Sequence, residues 1–280
     1  MTIETLEKNI FGHFKYLPKL LGFGVEKSKI FDTVNCGLYS SMFNIVCGAN
    51  LEQWAKHMQD ADSLNEVTFS YAFEANYQYG DDFVESKIRE VIQYYNNQPF
   101  AWWLGPSTNP VWISNILQEL NFEASLEQAM ILDLMTIEAS ISPIIARVTT
   151  PEHLEHFIQI LEPYDPSARR FYKKLKNPLL YPLEKLFVGY ESNIPVVIGT
   201  LYIDEENSMA GIFNVLTSEN KRCLGYGTQM MNHLLSNAKG SNIRYASLCA
   251  SSESGYRIYE RLGFQSVGKF GCFEWKGYDS

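Results

Sequence analysis

A short segment near the C-terminal end, KRCLGYGT at residues 221–228, has the residue types to bind an anion. It runs directly into QMMNHLLSNAK, whose apolar residues recur at helical spacing. The first N–H groups of a helix have no intrahelical partners, and with the helix dipole they attract negative charge. Because Gly225 and Gly227 lack a Cβ atom, a phosphate could lie against their backbone. The segment therefore predicts a phosphate-binding loop.

Three kinds of phosphate loop have a comparable glycine spacing. A P-loop requires Lys and then Ser or Thr after its second glycine, whereas Gly227 is followed by Thr228 and Gln229, which excludes it. A dinucleotide fingerprint requires Gly or Ala where this chain has Met230, and an acidic residue at the end of the next strand, which reads SLCASS. The remaining pattern is R-x-x-G-x-G, in which Arg222 precedes both glycines.

Strands and helices alternate around this loop in residues 141–280. Period-2 patterns and turn residues predict strands at residues 144–148, 186–191, 196–203, 209–216 and 244–250, and a terminal strand pair within residues 264–275. Helical spacing predicts helices at residues 151–161, 165–175, 226–238 and 254–261. The glycine loop therefore follows an antiparallel strand and begins a helix.

The loop, together with ESGYRIYERLGF about thirty residues later, resembles motifs A and B of the GNAT acyltransferase superfamily. The order of elements in residues 141–280 matches that fold as well. The resemblance implies an α+β fold, in which helices flank a central, mostly antiparallel sheet that splays into a V-shaped slot for acetyl-CoA. It also implies an N-acetyltransferase, in which an amine of a small molecule or peptide attacks the thioester directly.

The resemblance further implies roles for individual residues. Backbone N–H groups of residues 224–228 would hold the pyrophosphate of acetyl-CoA, and Arg222 would add positive charge. The backbone at Val215 and Thr217 would pair with the pantetheine arm and stabilise the oxyanion. Tyr259 would be the general acid for the departing thiolate. Ser252 stands where the family often has Asn and could make part of that cofactor contact. The cofactor-binding candidates are thus Val215, Thr217, Arg222, Leu224, Gly225, Tyr226, Gly227, Thr228 and Ser252.

The general base and the exact activity stay open. Candidate bases near strand, loop or helix positions are Asp204, Glu205, Glu206, Glu219, His153 and His156, and a water chain could serve instead. One alternative function is a GNAT-like module that binds CoA or a partner protein without turnover. Another is an enzyme that uses a longer acyl-CoA, or an aminoacyl-tRNA as in related tandem folds.

The first half of the chain repeats part of the same element order. Laying residues 119–122 on residues 261–264 gives a shift of 142, which also places Ile45 and Val46 on Phe187 and Val188. We therefore predict two tandem copies with a boundary at residues 136–143. Residues 1–140 would form a degenerate GNAT-like domain, and residues 141–280 would form the GNAT N-acetyltransferase domain.

The same shift predicts that the first copy has no cofactor loop. It places Asp81, Asp82, Phe83 and Glu85 opposite the glycine loop, where their carboxylates would repel a pyrophosphate, and it places Leu117 opposite Tyr259. Packing, substrate selection or homodimer formation would remain as roles for this copy. Its aromatic residues are expected in the core; they are Phe100, Trp102, Trp103 and Trp112.

Composition excludes several classes of protein. The chain is 46% apolar and 14% aromatic, as expected of a globular protein, and no apolar run approaches the ~20 residues that span a bilayer. Its net charge of −9 divides into −10 for residues 1–140 and +1 for residues 141–280, so neither half has the basic surface of a nucleic-acid binder. The five cysteines lack C-x-x-C spacing, which argues against a metal site or disulfides. With no signal-like N-terminus, we expect a cytoplasmic protein.

Overall fold

The computed structural model describes residues 2–28, 30–49, 77–108 and 113–277, with side chains from residue 84 onward in the helix that begins at Tyr77. The chain forms two compact units. The first combines Met1–Gly22 with Glu127–Phe270, and the second combines Phe23–Leu126 with Gly271–Ser280. Each unit therefore takes segments from both sides of the predicted boundary at residue 140. The assignment of separate functions to the two halves stays a prediction.

The helices are α1 Ile3–Leu20, α2 Tyr77–Tyr94, α3 Ile113–Glu119, α4 Pro151–Leu161, α5 Ala168–Tyr172, α6 Tyr226–Gly240 and α7 Glu253–Arg261. The strands are β1 Gly24–Lys27, β2 Asp32–Asn35, β3 Asn44–Cys47, β4 Phe100–Leu104, β5 Glu123–Asp133, β6 Ile145–Arg147, β7 Glu184–Glu191, β8 Ile194–Asp204, β9 Met209–Thr217, β10 Tyr245–Ala250 and β11 Gln265–Trp275. Most elements predicted for residues 141–280 are confirmed within a few residues. The predicted terminal strand pair is wrong, because residues 265–275 form the single strand β11.

The first unit contains a mostly antiparallel sheet in the order β11–β5–β10–β9–β8–β7–β6. Strands β6 to β9 are joined by antiparallel ladders, and β10 pairs antiparallel with β5. The exception is β10 and β9, which run parallel because helix α6 connects them. This arrangement confirms the predicted α+β fold with helices flanking a mostly antiparallel sheet.

Helix α6 packs closely on one face of this sheet. Met230, Met231, Leu234 and Leu235 are fully buried in the core that α6 forms with the strands. Gly199 of β8 permits the close approach, since a Cβ atom there would lie 2.9 Å from both Met230 and Leu234. The burial of this helical stripe positions the N-terminus of α6 at the end of β9.

Helix α1, at the start of the chain, belongs to the first unit and packs on β9 and β10. Ser247 donates a hydrogen bond from Oγ to Asn9 Oδ1 at 2.9 Å, and both residues are fully buried. The His13 ring stacks on Phe213 with 3.6 Å between ring centroids. These contacts anchor α1 beside the part of β9 that approaches the glycine loop.

The second unit contains strands in the order β1–β2–β3–β4, with β4 also pairing with residues 271–275 of β11. Its core contains Phe100 and Trp102, as predicted, with Tyr95 stacked on Phe100 at 4.4 Å. Trp103 is partly exposed, and Trp112 lies outside the described residues. Helix α2 lies between the parallel strands β3 and β4 in the chain, as α6 lies between β9 and β10.

Topology corrects the predicted correspondence between the two copies. The shift of 142 superposes β5 on β11 along their whole length and α3 on most of α7. However, β3 corresponds by topology to β9 and not to β7, on which Ile45 and Val46 were laid. Residues 81–85 lie inside α2, so the shift of 142 was wrong to lay them on the glycine loop, which precedes α6. Whether the first copy lacks a cofactor loop stays a prediction.

Candidate functional site

The slot between β9 and β10 opens because their ladder is short. The described register joins Met209, Ala210 and Gly211 to residues 245–247 and goes no further, although β9 continues to Thr217. On its other edge β9 remains paired with β8 to its end. The β8–β9 register shifts near Ile198, and Asn214 has a φ of +52°, so β9 bulges where it leaves β10. The predicted splay is confirmed.

The glycine loop lies directly beyond this bulge. Cys223 and Gly225 both have left-handed backbone conformations, with φ of +62° and +88°, and residues 222–225 are exposed. Gly225 is the N-cap of α6, and the first bond of the helix turn runs from the Gln229 N–H to its carbonyl. Leu224, a predicted contact, exposes 59% of its surface. The loop backbone is therefore accessible to a ligand.

The N-terminus of α6 has no side-chain cap, in contrast to those of three other helices. Thr2 caps α1, Thr150 caps α4 and Ser252 caps α7, each by accepting a hydrogen bond from a first-turn N–H group. Gly225 has no side chain for this role, so the N–H groups of residues 226–228 lack such a partner. An uncapped and exposed helix N-terminus is suited to an anion.

Several elements converge on the second glycine of the loop. A Cβ atom on Gly227 would lie 3.7 Å from Thr217 Oγ1, at the end of β9, and 3.9 Å from Ile258 of α7. Both distances are ordinary van der Waals contacts, so packing alone does not require glycine here. The close position of Thr217 and Gly227 brings two predicted cofactor contacts together. Val215 packs at the edge of the same core.

Charged side chains around the loop are already engaged. Arg222 donates to the Tyr164 hydroxyl and forms no ion pair with any residue that the structure describes. Glu191 accepts hydrogen bonds from Lys221 and from the Tyr226 hydroxyl. Lys221 and the Tyr226 bond hold the pKa of Glu191 below its ordinary value, and Glu191 in turn raises the pKa of Tyr226. The Tyr226 side chain is thus bonded to Glu191, while its backbone N–H group lies at the uncapped N-terminus of α6.

Tyr259 lies on α7 with its ring directed back towards the start of the helix. A Cβ atom on Gly255 would lie 3.3 Å from the Tyr259 ring and 3.5 Å from its hydroxyl oxygen. The hydroxyl is therefore next to the first turn of α7, which follows β10 after only two residues. Burial, with a smaller effect from the negative charge of Glu127, raises the pKa of Tyr259 to about 12. The phenol is protonated at neutral pH and available as a donor.

Glu127 is a residue of this region that sequence reasoning missed. It is partly buried on β5, next to Gln128, which pairs with Ala250 at the end of β10. Burial raises the pKa of its carboxyl group to about 7. The sequence placed Glu127 in the other half of the chain, and its surroundings EASLEQAM contain no motif. Only the pairing of β5 with β10 connects it to Tyr259.

Most of the other sequence candidates have hydrogen-bond partners or are exposed. The exception is His153, which is partly buried and whose Nδ1 has no hydrogen-bond partner among the described residues. Ser252 accepts a hydrogen bond from the Gly255 N–H at 3.2 Å as the cap of α7, so any cofactor contact from it stays a prediction. Asp204 accepts two hydrogen bonds from Asn207, and His156 lies 3.1 Å from the Tyr190 hydroxyl. The exposed candidates are Glu205, Glu206 and Glu219. None of these contacts connects a candidate base to Tyr259.

The described residues also bear on two other kinds of feature, a metal site and a membrane-spanning helix. Within residues 2–28, 30–49, 77–108 and 113–277, no group of His, Cys, Asp and Glu side chains is arranged to hold a metal ion. No helix in this part of the chain is both long and apolar enough to cross a membrane.

Comparisons with known proteins give a family match for part of the chain. Residues 152–264 match the family model described as Acetyltransferase (GNAT) family. The matched range contains β9, the glycine loop, α6 and α7. No protein of the curated set matches the sequence.

Solved structures share the fold over most of the chain. A GCN5-related N-acetyltransferase from Kribbella flavida has a TM-score of 0.61 at 11% identity, covering 97% of this chain and 96% of that one. A functionally unknown conserved protein from Staphylococcus epidermidis has a TM-score of 0.56 at 11% identity, covering 92% and 95%. A GCN5-related N-acetyltransferase from Sphaerobacter thermophilus has a TM-score of 0.53 at 14% identity, covering 87% and 75%. At these identities the likeness shows the fold alone.

Proposed function

We propose that residues 152–264, which form a GNAT domain, bind acetyl-CoA and transfer its acetyl group to an amine of a small molecule or peptide. The family match supports acetyl transfer as the general activity. The observation that carries the proposal is the N-terminus of α6, which is exposed, uncapped and next to the open edge of β9. Acetyl-CoA contains a pyrophosphate, which fits the N-terminus of α6. It also has an extended arm with amide groups, which fits the open edge of β9.

The described residues fit acetyl-CoA in two respects. The N–H groups of residues 226–228 and the left-handed loop can hold a pyrophosphate, with the Arg222 charge nearby. The unpaired edge of β9 near Val215 and Thr217 can pair with the amide groups of the arm, as an added strand would. Acetyl-CoA supplies a thioester whose carbonyl carbon an amine attacks.

Tyr259 is suited to the departing sulfur. Its hydroxyl is protonated at neutral pH, because burial raises its pKa to about 12, and it lies against the first turn of α7, which follows β10 after two residues. A donor in this position stabilises the negative charge that develops on sulfur. Replacing Tyr259 by Phe removes the donor and leaves the ring that packs against Phe264.

Two glycines of the same helix provide a matched test of acetyl-CoA binding. Gly227→Glu introduces a negative charge at the helix N-terminus, whereas Gly240→Glu introduces the same charge at the other end, where a Cβ atom meets nothing within 4 Å. Calorimetry should show loss of acetyl-CoA binding for Gly227→Glu and wild-type affinity for Gly240→Glu. Equal affinities in folded variants would reject the loop as the pyrophosphate site.

A non-catalytic module that binds CoA or a partner protein is the alternative. The Tyr259→Phe variant distinguishes the two functions, because an enzyme loses much of its rate while it still binds acetyl-CoA. Donor chain length, homodimer formation and a cytoplasmic location remain predictions from the sequence.

A further inference from the structure

Glu127 differs from the other carboxyl groups of the first unit whose pKa departs from the ordinary value. Asp133, Glu162 and Glu191 are each stabilised in the charged form by hydrogen bonds, mainly from cationic side chains or a backbone N–H group. Glu127 is desolvated instead, and burial is the sole cause that acts on it. A carboxyl group that is partly removed from water and has no cation beside it holds its proton more tightly than an exposed carboxyl group does. Such groups are common among catalytic bases.

Strand register places Glu127 at the end of β10. Its neighbour Gln128 is opposite Ala250, the last residue of β10, and the Gln128 side chain donates to Ser266 Oγ and to the Gly268 carbonyl. These side-chain bonds attach β5 to β11, while the ladder attaches it to β10. The carboxyl end of β10 is also where the slot between β9 and β10 is open.

Tyr259 approaches the same point from α7. The chain passes from Ala250 through two residues into α7, and the Tyr259 hydroxyl lies against Gly255 in the first turn of that helix. Register and helix geometry thus bring both residues to the carboxyl end of β10, and the negative charge of Glu127 contributes to the raised pKa of Tyr259. An acid on α7 and a carboxyl group on β5 therefore lie near the same end of β10. Two titratable groups whose surroundings give them clearly different pKa values are typical of acid–base catalysis.

We propose that the Glu127 carboxylate is the general base that accepts the proton lost by the acceptor amine. This inference rests on the proposed acetyl transfer. As the nitrogen–carbon bond forms, the amine nitrogen passes one proton to Glu127. As the carbon–sulfur bond breaks, sulfur takes one proton from the Tyr259 hydroxyl. Glu127 then returns its proton to the Tyr259 oxygen, directly or through water, so the products are an amide and a thiol and both side chains are restored.

The two proton transfers support each other through charge. The Glu127 carboxylate holds the Tyr259 proton more tightly while it is ionised. When Glu127 becomes neutral by taking the amine proton, this effect disappears and the pKa of Tyr259 falls. The phenol then becomes a better acid at the stage when sulfur departs.

The groups around Glu127 define its pH dependence. Helix α7 contributes the Tyr259 hydroxyl. On the adjacent strands, the Cys249 thiol of β10 is one pair along from Gln128, Ser266 and Gly268 of β11 accept hydrogen bonds from the Gln128 side chain, and Lys269 is exposed. Burial alone shifts Glu127, so none of these charges sets its titration. We expect the acceptor kcat/KM of the wild-type protein to rise with pH through about 7.

The experiment replaces Glu127 by Gln and uses the amine that gives the fastest acetyl-CoA-dependent thiol release. We expect kcat to fall about 10²- to 10⁴-fold, acetyl-CoA affinity to stay at the wild-type value, and the rise in kcat/KM near pH 7 to disappear. The control is Glu138→Gln, which removes an exposed carboxylate from the segment after β5 and should leave rate and pH profile unchanged.

A second measurement needs no acceptor. Tyrosine labelled with ¹³C at the ring carbon that bears the hydroxyl reports the Tyr259 titration by NMR, with Tyr259→Phe identifying the signal. In Glu127→Gln the pKa of Tyr259 should be lower than in the wild type. An unchanged Tyr259 pKa, or a Glu127→Gln enzyme with wild-type rate and pH profile, would overturn the assignment. If the wild type does not bind acetyl-CoA, the proposed function itself fails, which the calorimetry detects separately.

Discussion

Replacing Glu127 by Gln should make the protein more stable at neutral and alkaline pH. The introduced amide has nearly the shape of the protonated carboxyl group but carries no charge to desolvate. In the wild-type protein, burial raises the pKa of Glu127 from its ordinary 4.5 to about 7. The charged form of Glu127 therefore lowers the free energy of unfolding at every pH above 7. A group that functions as a base is kept at the expense of stability.

The magnitude and its pH dependence follow from proton linkage. Between pH 4.5 and 7 the folded protein holds a proton that the unfolded chain has lost, so the free energy of unfolding falls as pH rises. At 1.36 kcal/mol for each unit of pKa the full difference is about 3 kcal/mol, and partial contact with water reduces it to about 2–3 kcal/mol. The variant gains this amount above pH 7 and almost nothing below pH 4.5.

Urea unfolding at pH 5 and pH 8 measures the effect. Far-UV circular dichroism is the suitable probe, because all five tryptophans fall outside the residue ranges of the first unit, which contains Glu127. We expect the difference between Glu127→Gln and wild type to be about 2–3 kcal/mol larger at pH 8 than at pH 5. The exposed Glu138→Gln control should show no such pH dependence.

One outcome would refute this reasoning. If Glu127→Gln is equally or less stable than the wild type at pH 8, the carboxylate is stabilised in the folded state by a group that the described contacts lack. Its ionised form would then be no stronger a base than an ordinary glutamate. Greater stability combined with a lower rate is the signature expected of a catalytic carboxylate, since a structural role would not produce it.

Two further predictions concern the support of the site. Gly255→Ala places a Cβ atom 3.3 Å from the Tyr259 ring and should displace the ring. We expect kcat to fall at least tenfold, while calorimetry shows unchanged acetyl-CoA affinity. A wild-type kcat would show that this ring position is unimportant. Ser247→Ala leaves the buried Asn9 oxygen without its partner, which should cost about 1–3 kcal/mol in urea unfolding, and no loss would mean that water replaces the hydroxyl.

Local sequence patterns were sufficient for the cofactor side of the site. The glycine spacing, the helical stripe of α6 and the strand before it are all encoded within about thirty consecutive residues, so R-x-x-G-x-G located the uncapped helix end. Tyr259 was found because the segment that ends in Leu-Gly-Phe follows the loop at a fixed distance. Local propensity and burial agree throughout this region, which makes it predictable.

Long-range pairing was not accessible to the same reasoning. Glu127 lies near the end of β10 because β5 pairs with β10 across more than a hundred residues, and α1 joins the first unit through Asn9 and His13. Periodicity could not distinguish one strand β11 from a strand pair, because its strand pattern is continuous. The helical state of residues 81–85 was missed because the shift of 142 assumed that α2 and α6 begin at equivalent positions.

Thiol release from acetyl-CoA over a panel of amines, amino acids and peptides tests acetyl transfer most directly. The wild-type protein should release CoA thiol only when an accepted amine is present, with one acetylated amine formed for each thiol. Tyr259→Phe should bind acetyl-CoA with the wild-type affinity and lose most of the rate. Wild-type protein that binds acetyl-CoA but releases no thiol with any amine would contradict transfer and favour a binding module.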